Sequence, residues 1–202
     1  MSGVIELRQY TLKPGRRDEL IALFERAFVE TQEAEGIRLI GTFRDADDAD
    51  RFVWLRGFAD MQSRAAALAA FYGGPVWKAN RNAANDTMID SDNVLLLKPA
   101  SDGADFAERD ASEGMVFAGV HYLSVPASDE VVAAFRKCAT AAIAVCVTEA
   151  AQNTFPALPV REGENVLATF TRAPLSPPPE IAQHIKRSET LRLVPTARSH
   201  LR

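Results

Sequence analysis

The sequence predicts an α+β fold made of two tandem ferredoxin-like halves, each in the order βαββαβ. Three observations carry this. Val4 to Phe28 returns near the middle of the chain as Val116 to Ala139, with Tyr10 answering Tyr122, Pro14 answering Pro126, and Asp18 to Phe24 answering Asp129 to Phe135. Self-similarity of that kind marks a doubled unit. Strand and helix periodicities follow one another in the same order in both copies, the pattern of an antiparallel sheet with helices on one face. Between the copies, 100–114 is rich in Ser, Asp, Ala and Gly and follows neither period, as a linker does. The division is therefore 1–99 for the first half, 100–114 for the linker and 115–202 for a divergent second half.

In the first half Val4 to Leu12 alternates as a strand does, and Lys13-Pro14-Gly15 stops it. From Asp18 a helix carries Leu20, Leu23, Phe24, Ala27, Phe28 and Thr31 on one stripe and ends at Gly36. Ile37 to Phe43 and Arg51 to Phe58 are strands joined across an acidic tip, Arg44 to Asp50. The second helix is split: Ser63 to Phe71 is alanine-rich, Gly73-Gly74 breaks it, and Pro75 opens a helix through Trp77 and Arg81. Val94 to Lys98 closes the half as a strand. The second half repeats this with strands Val116 to Leu123, Ile143 to Val147, Val166 to Phe170 and Leu191 to Val194, and a proline-broken connection over Phe155 to Val160.

The net charge of -4 and the absence of a basic run argue against nucleic acid or an anionic membrane as partner. No stretch approaches the roughly 20 apolar residues that span a bilayer, and no apolar leader follows Met1, so the chain is expected to begin there. Cys138 and Cys146 are too few for a disulfide framework, which fits a reducing cytoplasm, and both are expected as small buried side chains.

A candidate site follows from strand parity. With Ile5, Leu7, Val53 and Leu55 turned to the helices, the open face of the sheet collects Glu6, Arg8, Tyr10, Trp54, Arg56 and Phe58. Aromatic walls with a few charged groups are how small-molecule pockets are lined. In the repeat the matching positions are Ala118, Val120, Ala168 and Phe170 for Glu6, Arg8, Trp54 and Arg56, so the polar set exists once. The competing reading is an ion pair between strands and aromatic filling where two sheets meet.

Other signals are weaker. His121, His184 and His200 lie on separate elements without partners at ligand spacing, so no metal is expected. Asp45, Asp47, Asp48 and Asp50 lack the glycine and distal glutamate of a calcium loop and read as a solvated hairpin tip. Trp77 reads as a packing anchor, with Lys78 and Arg81 beside it.

The opening strand I-E-L-R-x-Y-T-L-K-P-G over Ile5 to Gly15, then R-F-V-W-L-R-G-F over Arg51 to Phe58, Arg64 followed by alanines to Ala67, and Trp77 together resemble the NIPSNAP family. The resemblance covers the first half and implies the dimeric α+β barrel architecture, in which paired ferredoxin-like sheets form a barrel. It supplies no established catalytic residues. In the wider superfamily it brings cofactor-independent monooxygenases and haem enzymes into view, though no axial histidine stands on the polar half and no cofactor is expected. The expectation is thus a cytoplasmic protein, assembling as a homodimer, that binds a small anionic or aromatic organic molecule in the barrel cavity. Arg8 and Arg56 would hold its charge, Tyr10, Trp54 and Phe58 would wall it, and Glu6 would orient an arginine. Two alternatives are a monooxygenase-like enzyme using Glu6 or Tyr10 as base, and a scaffold protein whose polar face is consumed by subunit contacts.

Overall fold

The computed structural model describes residues 2–101, 105–106, 114–139 and 142–202. The first half runs β1 (Val4–Leu12), α1 (Arg17–Ala27), α2 (Val29–Ala34), β2 (Arg38–Asp45), β3 (Arg51–Phe58), α3 (Met61–Gly73), α4 (Pro75–Asp86) and β4 (Met88–Pro99). The second runs β5 (Val116–Leu123), α5 (Asp129–Cys138), β6 (Ala144–Thr148), β7 (Val166–Thr171), α6 (Pro179–Ala182) and β8 (Ile185–Pro195). Most of the connection expected over 100–114 lies outside the described residues.

Each half is an antiparallel sheet with its first strand central, β4-β1-β3-β2 and β8-β5-β7-β6, and the two join into one closed eight-stranded barrel. The seams are short. β2 meets β8 through Phe43↔Pro195, Arg44↔Val194 and Asp45↔Leu193, and β4 meets β6 through Leu97↔Thr148, Lys98↔Val147 and Pro99↔Cys146. Closure within the chain removes the sheet edges that either half alone would expose.

Eight strands enclose a space that side chains can fill. Ile5, Leu7, Val53 and Leu55 enter it from the first half, and Val120, Tyr122, Ala168 and Phe170 from the second. This reverses the expected parity. The apolar face of β1 and β3 fills the barrel, and the helices cover the face carrying the arginines and aromatics. Both faces of these strands are buried, so greater apolarity does not identify the helix side. At Gly41 a Cβ would sit 2.4 Å from the Phe43 ring, so glycine lets that ring fold back into the barrel. The adjoining register shift between Leu39 and Gly41 sends Leu39 to the helices and Ile40 inward.

The helices follow local chemistry. Asp60 Oδ1 accepts from Ser63 N at 2.7 Å at the start of α3, Ser128 caps α5, and Pro75 opens α4 at a position where its missing N–H is not needed. The long helix expected from Asp18 to Gly36 breaks at Phe28, and Gln32 is buried in place of Thr31, which bonds back to Ala27 O. Cys146 lies in the barrel, but Cys138 is exposed, because the buried stripe of α5 runs through Val131, Val132 and Phe135. β4 and β8 begin earlier than Val94 and Leu191, since polar residues such as Asp90 and Ser188 hold their places by pairing with Thr11 and His121. No helix among the described residues is long and apolar enough to cross a membrane.

Candidate functional site

Between the first-half sheet and α1–α4 lies a buried ionic cluster centred on Glu6. The β1–β3 register sets Glu6 opposite Arg56, and strand period puts Arg8 on the same face. Arg64 comes down from α3, where it shares the buried side with Ala67, Leu68 and Phe71. Glu6 Oε2 accepts from Arg8 Nη1 and Arg56 Nε, each at 2.7 Å, and Oε1 accepts from Arg64 Nε at 2.6 Å. None of these four side chains is more than 1% exposed.

The remaining donors are only partly satisfied. Arg8 Nε donates to the Tyr10 hydroxyl, Arg56 Nη1 to Gln32 Oε1 and Arg64 Nη1 to Asn153 Oδ1, each at 3.0 Å. Arg56 Nη2, Arg64 Nη2 and Trp54 Nε1 are buried with no partner among the described residues. Among the described residues a single carboxylate therefore faces three guanidinium groups, an excess of two positive charges in the protein interior. Buried charge is costly unless paired, so this excess calls for an anion.

Aromatic faces complete the environment. The Arg8 guanidinium stands 5.4 Å from the Trp54 ring centre, and Arg56 stands 4.9 Å from Trp54, 5.6 Å from Phe58 and 5.9 Å from Tyr72. Beside them is a cavity of about 30 Å³ bordered by Tyr10, Phe28, Gln32, Trp54, Tyr72 and Trp77. It has room for water, and an organic ligand would need the cover to move. Part of that cover belongs to the second half. In the β6–β7 connection Asn153 caps Arg64, Thr154 Oγ1 donates to Met61 O at 3.0 Å, and Phe155 stacks on Tyr72 with ring centres 6.0 Å apart.

The electrostatics fix the roles open to Glu6 and Tyr10. Burial pushes the Glu6 carboxyl up, but Arg56, Arg8 and Arg64 together hold it well below the usual carboxylate range. Burial raises the Tyr10 phenol against the pull of Arg8. Near neutral pH Glu6 is thus a fixed anion of low basicity, and Tyr10 keeps its proton.

All of Glu6, Arg8, Tyr10, Trp54, Arg56 and Phe58 come together as expected from parity, under the helices and not on the barrel side. Packing consumes Trp77, against Phe28, Phe71 and Tyr72, while Lys78 and Arg81 are exposed. Gln32, Arg64, Tyr72 and Asn153 were not anticipated as part of the site. Arg64 had a readable signal: with Ala67, Leu68 and Phe71 it follows helical spacing, so a charge sits in an otherwise apolar stripe. Asn153 had none, since nothing local ties that loop to α3.

The repeat needs a one-residue correction. Leu12 N donates to Asp50 O and Leu123 N to Asn165 O, and aligning these hairpin closures matches Glu6 with Phe117, Arg8 with Gly119 and Tyr10 with His121. Trp54 and Arg56 then match Thr169 and Thr171. The residues first compared, Ala118, Val120, Ala168 and Phe170, face the barrel, because a slip of one residue exchanges the faces of a strand. The polar set is still confined to the first half.

Fold and site together define an α+β barrel of two ferredoxin-like sheets with a charged, aromatic-lined layer under the helices of one half. Residues 5–103 match the NIPSNAP family model, so the first half is a NIPSNAP domain. Among curated proteins none matches the sequence. Among solved structures, an uncharacterized NIPSNAP-like domain protein from Burkholderia xenovorans is 27% identical, covering 52% of this chain and 90% of its own, with a TM-score of 0.47. A proposed monooxygenase from Lactobacillus acidophilus is similar across 96% of this chain and 94% of its own, at 14% identity and TM-score 0.61. A second, from Fusobacterium nucleatum, covers 95% and 91% at 10% identity and TM-score 0.58. At such identities the likeness is one of fold.

Proposed function

We propose that the first half binds a small organic anion between its sheet and α1–α4, with Arg56 and Arg64 receiving the charge and Trp54, Tyr72 and Phe58 receiving an apolar or aromatic body. The observation that carries this is the imbalance of one buried carboxylate against three buried guanidinium groups. Two of those groups keep an unpartnered Nη2. Guanidinium forks suit carboxylate and phosphate oxygens, and Glu6 serves to hold three of them in place. The barrel interior is packed with aliphatic and aromatic side chains, and where it turns polar, at Tyr122, the hydroxyl already accepts from Arg161 Nη1 at 2.8 Å and donates to Glu189 at 3.1 Å.

The test is a thermal-shift screen of the wild type and Arg56→Ala over a panel of aromatic carboxylates and phosphates. Stabilisation of the wild type that is lost in Arg56→Ala is the expected result. Shifts in neither protein, or equal shifts in both, would count against the site.

A second reading is a cofactor-independent monooxygenase, favoured by the two full-length structural neighbours proposed to be monooxygenases. In that case Arg56 and Arg64 would stabilise a developing oxyanion in the substrate. Glu6 is too weak a base to begin such a reaction, so Glu6→Gln would act on oxygen uptake by disturbing the arginines and would not remove a titrating step from the pH profile.

A further inference from the structure

Resting on the anion reading above, we propose that the ligand's head group carries two negative charges on oxygen, and that it takes the place Asn153 now holds on Arg64. The argument is a count of charge and of donors. Glu6 balances one of three arginines, so a monoanion would leave one positive charge buried without a counterpart. Among the described residues no second carboxylate lies within ion-pair distance of Arg8, Arg56 or Arg64. The other polar neighbours, Gln32, Tyr10 and Asn153, supply oxygen without charge.

The geometry agrees with the count. Arg56 uses Nε on one oxygen of Glu6 and Arg64 uses Nε on the other, so a single carboxylate spans both guanidinium groups. Each keeps its Nη2 unpartnered and buried, which leaves two arginines able to share one compact head with several oxygens. Asn153 Oδ1 is the substitute oxygen: it satisfies Arg64 Nη1 at 3.0 Å and adds no charge. It is carried on the β6–β7 connection. Asn153 is braced from within that connection, by Nδ2 to Leu158 O at 2.9 Å and by Phe155 N to its own Oδ1 at 3.0 Å, and the proposed displacement breaks the contacts that tie the segment to the first half, Thr154 on Met61 O and the packing of Phe155, Leu158 and Val160. The same movement takes Phe155 off Tyr72, whose ring walls the small cavity beside Trp54.

A phosphate monoester and a dicarboxylate both meet these requirements. The test titrates benzoate, phthalate and phenyl phosphate into the full chain by calorimetry, at a pH well above the second phosphate pKa of about 6. For the wild type the tighter dianion should bind at least about 10-fold more strongly than benzoate, a coupling of about 1.4 kcal/mol. Preference for phenyl phosphate over phthalate assigns the head as a phosphate ester, and the opposite order assigns a dicarboxylate. In Asn153→Asp a carboxylate on Arg64 supplies one of the missing charges, and the preference for dianions should disappear while benzoate binding persists. Arg64→Met removes one charge of the excess, and in it too the preference for dianions over benzoate should disappear, without alteration of the connection. Benzoate binding the wild type as tightly as both dianions, or a dianion preference unchanged in both variants, overturns this inference and leaves the anion site standing. Failure of all three compounds to bind the wild type removes both.

Discussion

Two layers of side chains lie between sheet and helices in this molecule, and their chemistry differs although the strand order around them is the same. Under α1–α4 the layer holds Glu6, three arginines and a ring of aromatics. Under α5 and α6 the matching positions are Phe117, Gly119, His121, Thr169 and Thr171, within a cluster of Leu123, Val131, Val132, Phe135 and Leu167. The second layer shows that a sheet of this topology can be covered without ions. Apolar replacements for a buried ionic group are often as stable or more so, so the fold itself does not account for the first layer.

The largest effect should come from removing the one counter-charge. Glu6→Gln leaves three buried guanidinium groups without an anion, and breaking a buried pair in this way costs about 3–5 kcal/mol. Arg64→Met, of similar volume, leaves Glu6 with two partners and removes an unpartnered donor, so its cost should stay within about 1 kcal/mol. Denaturant midpoints at constant slope measure both. Equal losses would mean that the three arginines are equally needed by the fold, and the contrast between the layers would fail.

Acid should separate the layers next. His121 is neutral near pH 7 because burial lowers its pKa to about 4, and its Nδ1 meets Ser188 Oγ at 2.8 Å. The folded state resists a proton that the unfolded chain accepts, so stability is lost as pH falls from 6.5 towards 4. At about 1.36 kcal/mol per pKa unit this amounts to at most roughly 3 kcal/mol. Glu6 acts lower: its folded pKa is depressed, so its contribution is complete above the unfolded value of about 4.3 and fades below it. His121→Gln should flatten the upper part of a stability–pH curve, and Glu6→Gln the lower part. A curve whose upper limb ignores His121 would remove the histidine from this account.

The connection between the layers gives a smaller effect. Phe155 belongs to the second half but packs in the first, half-buried against Tyr72. Phe155→Ala should cost about 2 kcal/mol, below the 3–5 of a fully buried phenylalanine. It should also speed ligand release if the connection covers the site, which stopped-flow dissociation would detect.

These contrasts show where sequence was sufficient. The order of strands and helices in each half was legible because period and spacing are local properties of the chain. Which face of β1 met the helices was not, since Ile5 and Leu7 pack in the barrel while Glu6 and Arg8 are equally buried on the other side. Closure decides that question, and closure depends on short seams such as Phe43↔Pro195 whose partners are far apart in sequence. The same distance hid Asn153, which reaches Arg64 across 89 positions. Gln32 was missed for a nearer reason: the break at Phe28 turns it, and not Thr31, toward Arg56.

The smallest expected effect tests whether the second layer is the passive counterpart that the comparison requires. Thr171 occupies the position of Arg56, and its hydroxyl donates to Ala173 O at 2.6 Å. Thr171→Val keeps the shape and removes that bond, for a loss of about 1 kcal/mol. Ligand-induced melting shifts should not change, because Thr171 lies under α5 and α6 and not beside Glu6. If Thr171→Val abolished those shifts, the second layer would share the ligand site, and the charge imbalance around Glu6 would no longer suffice to locate it.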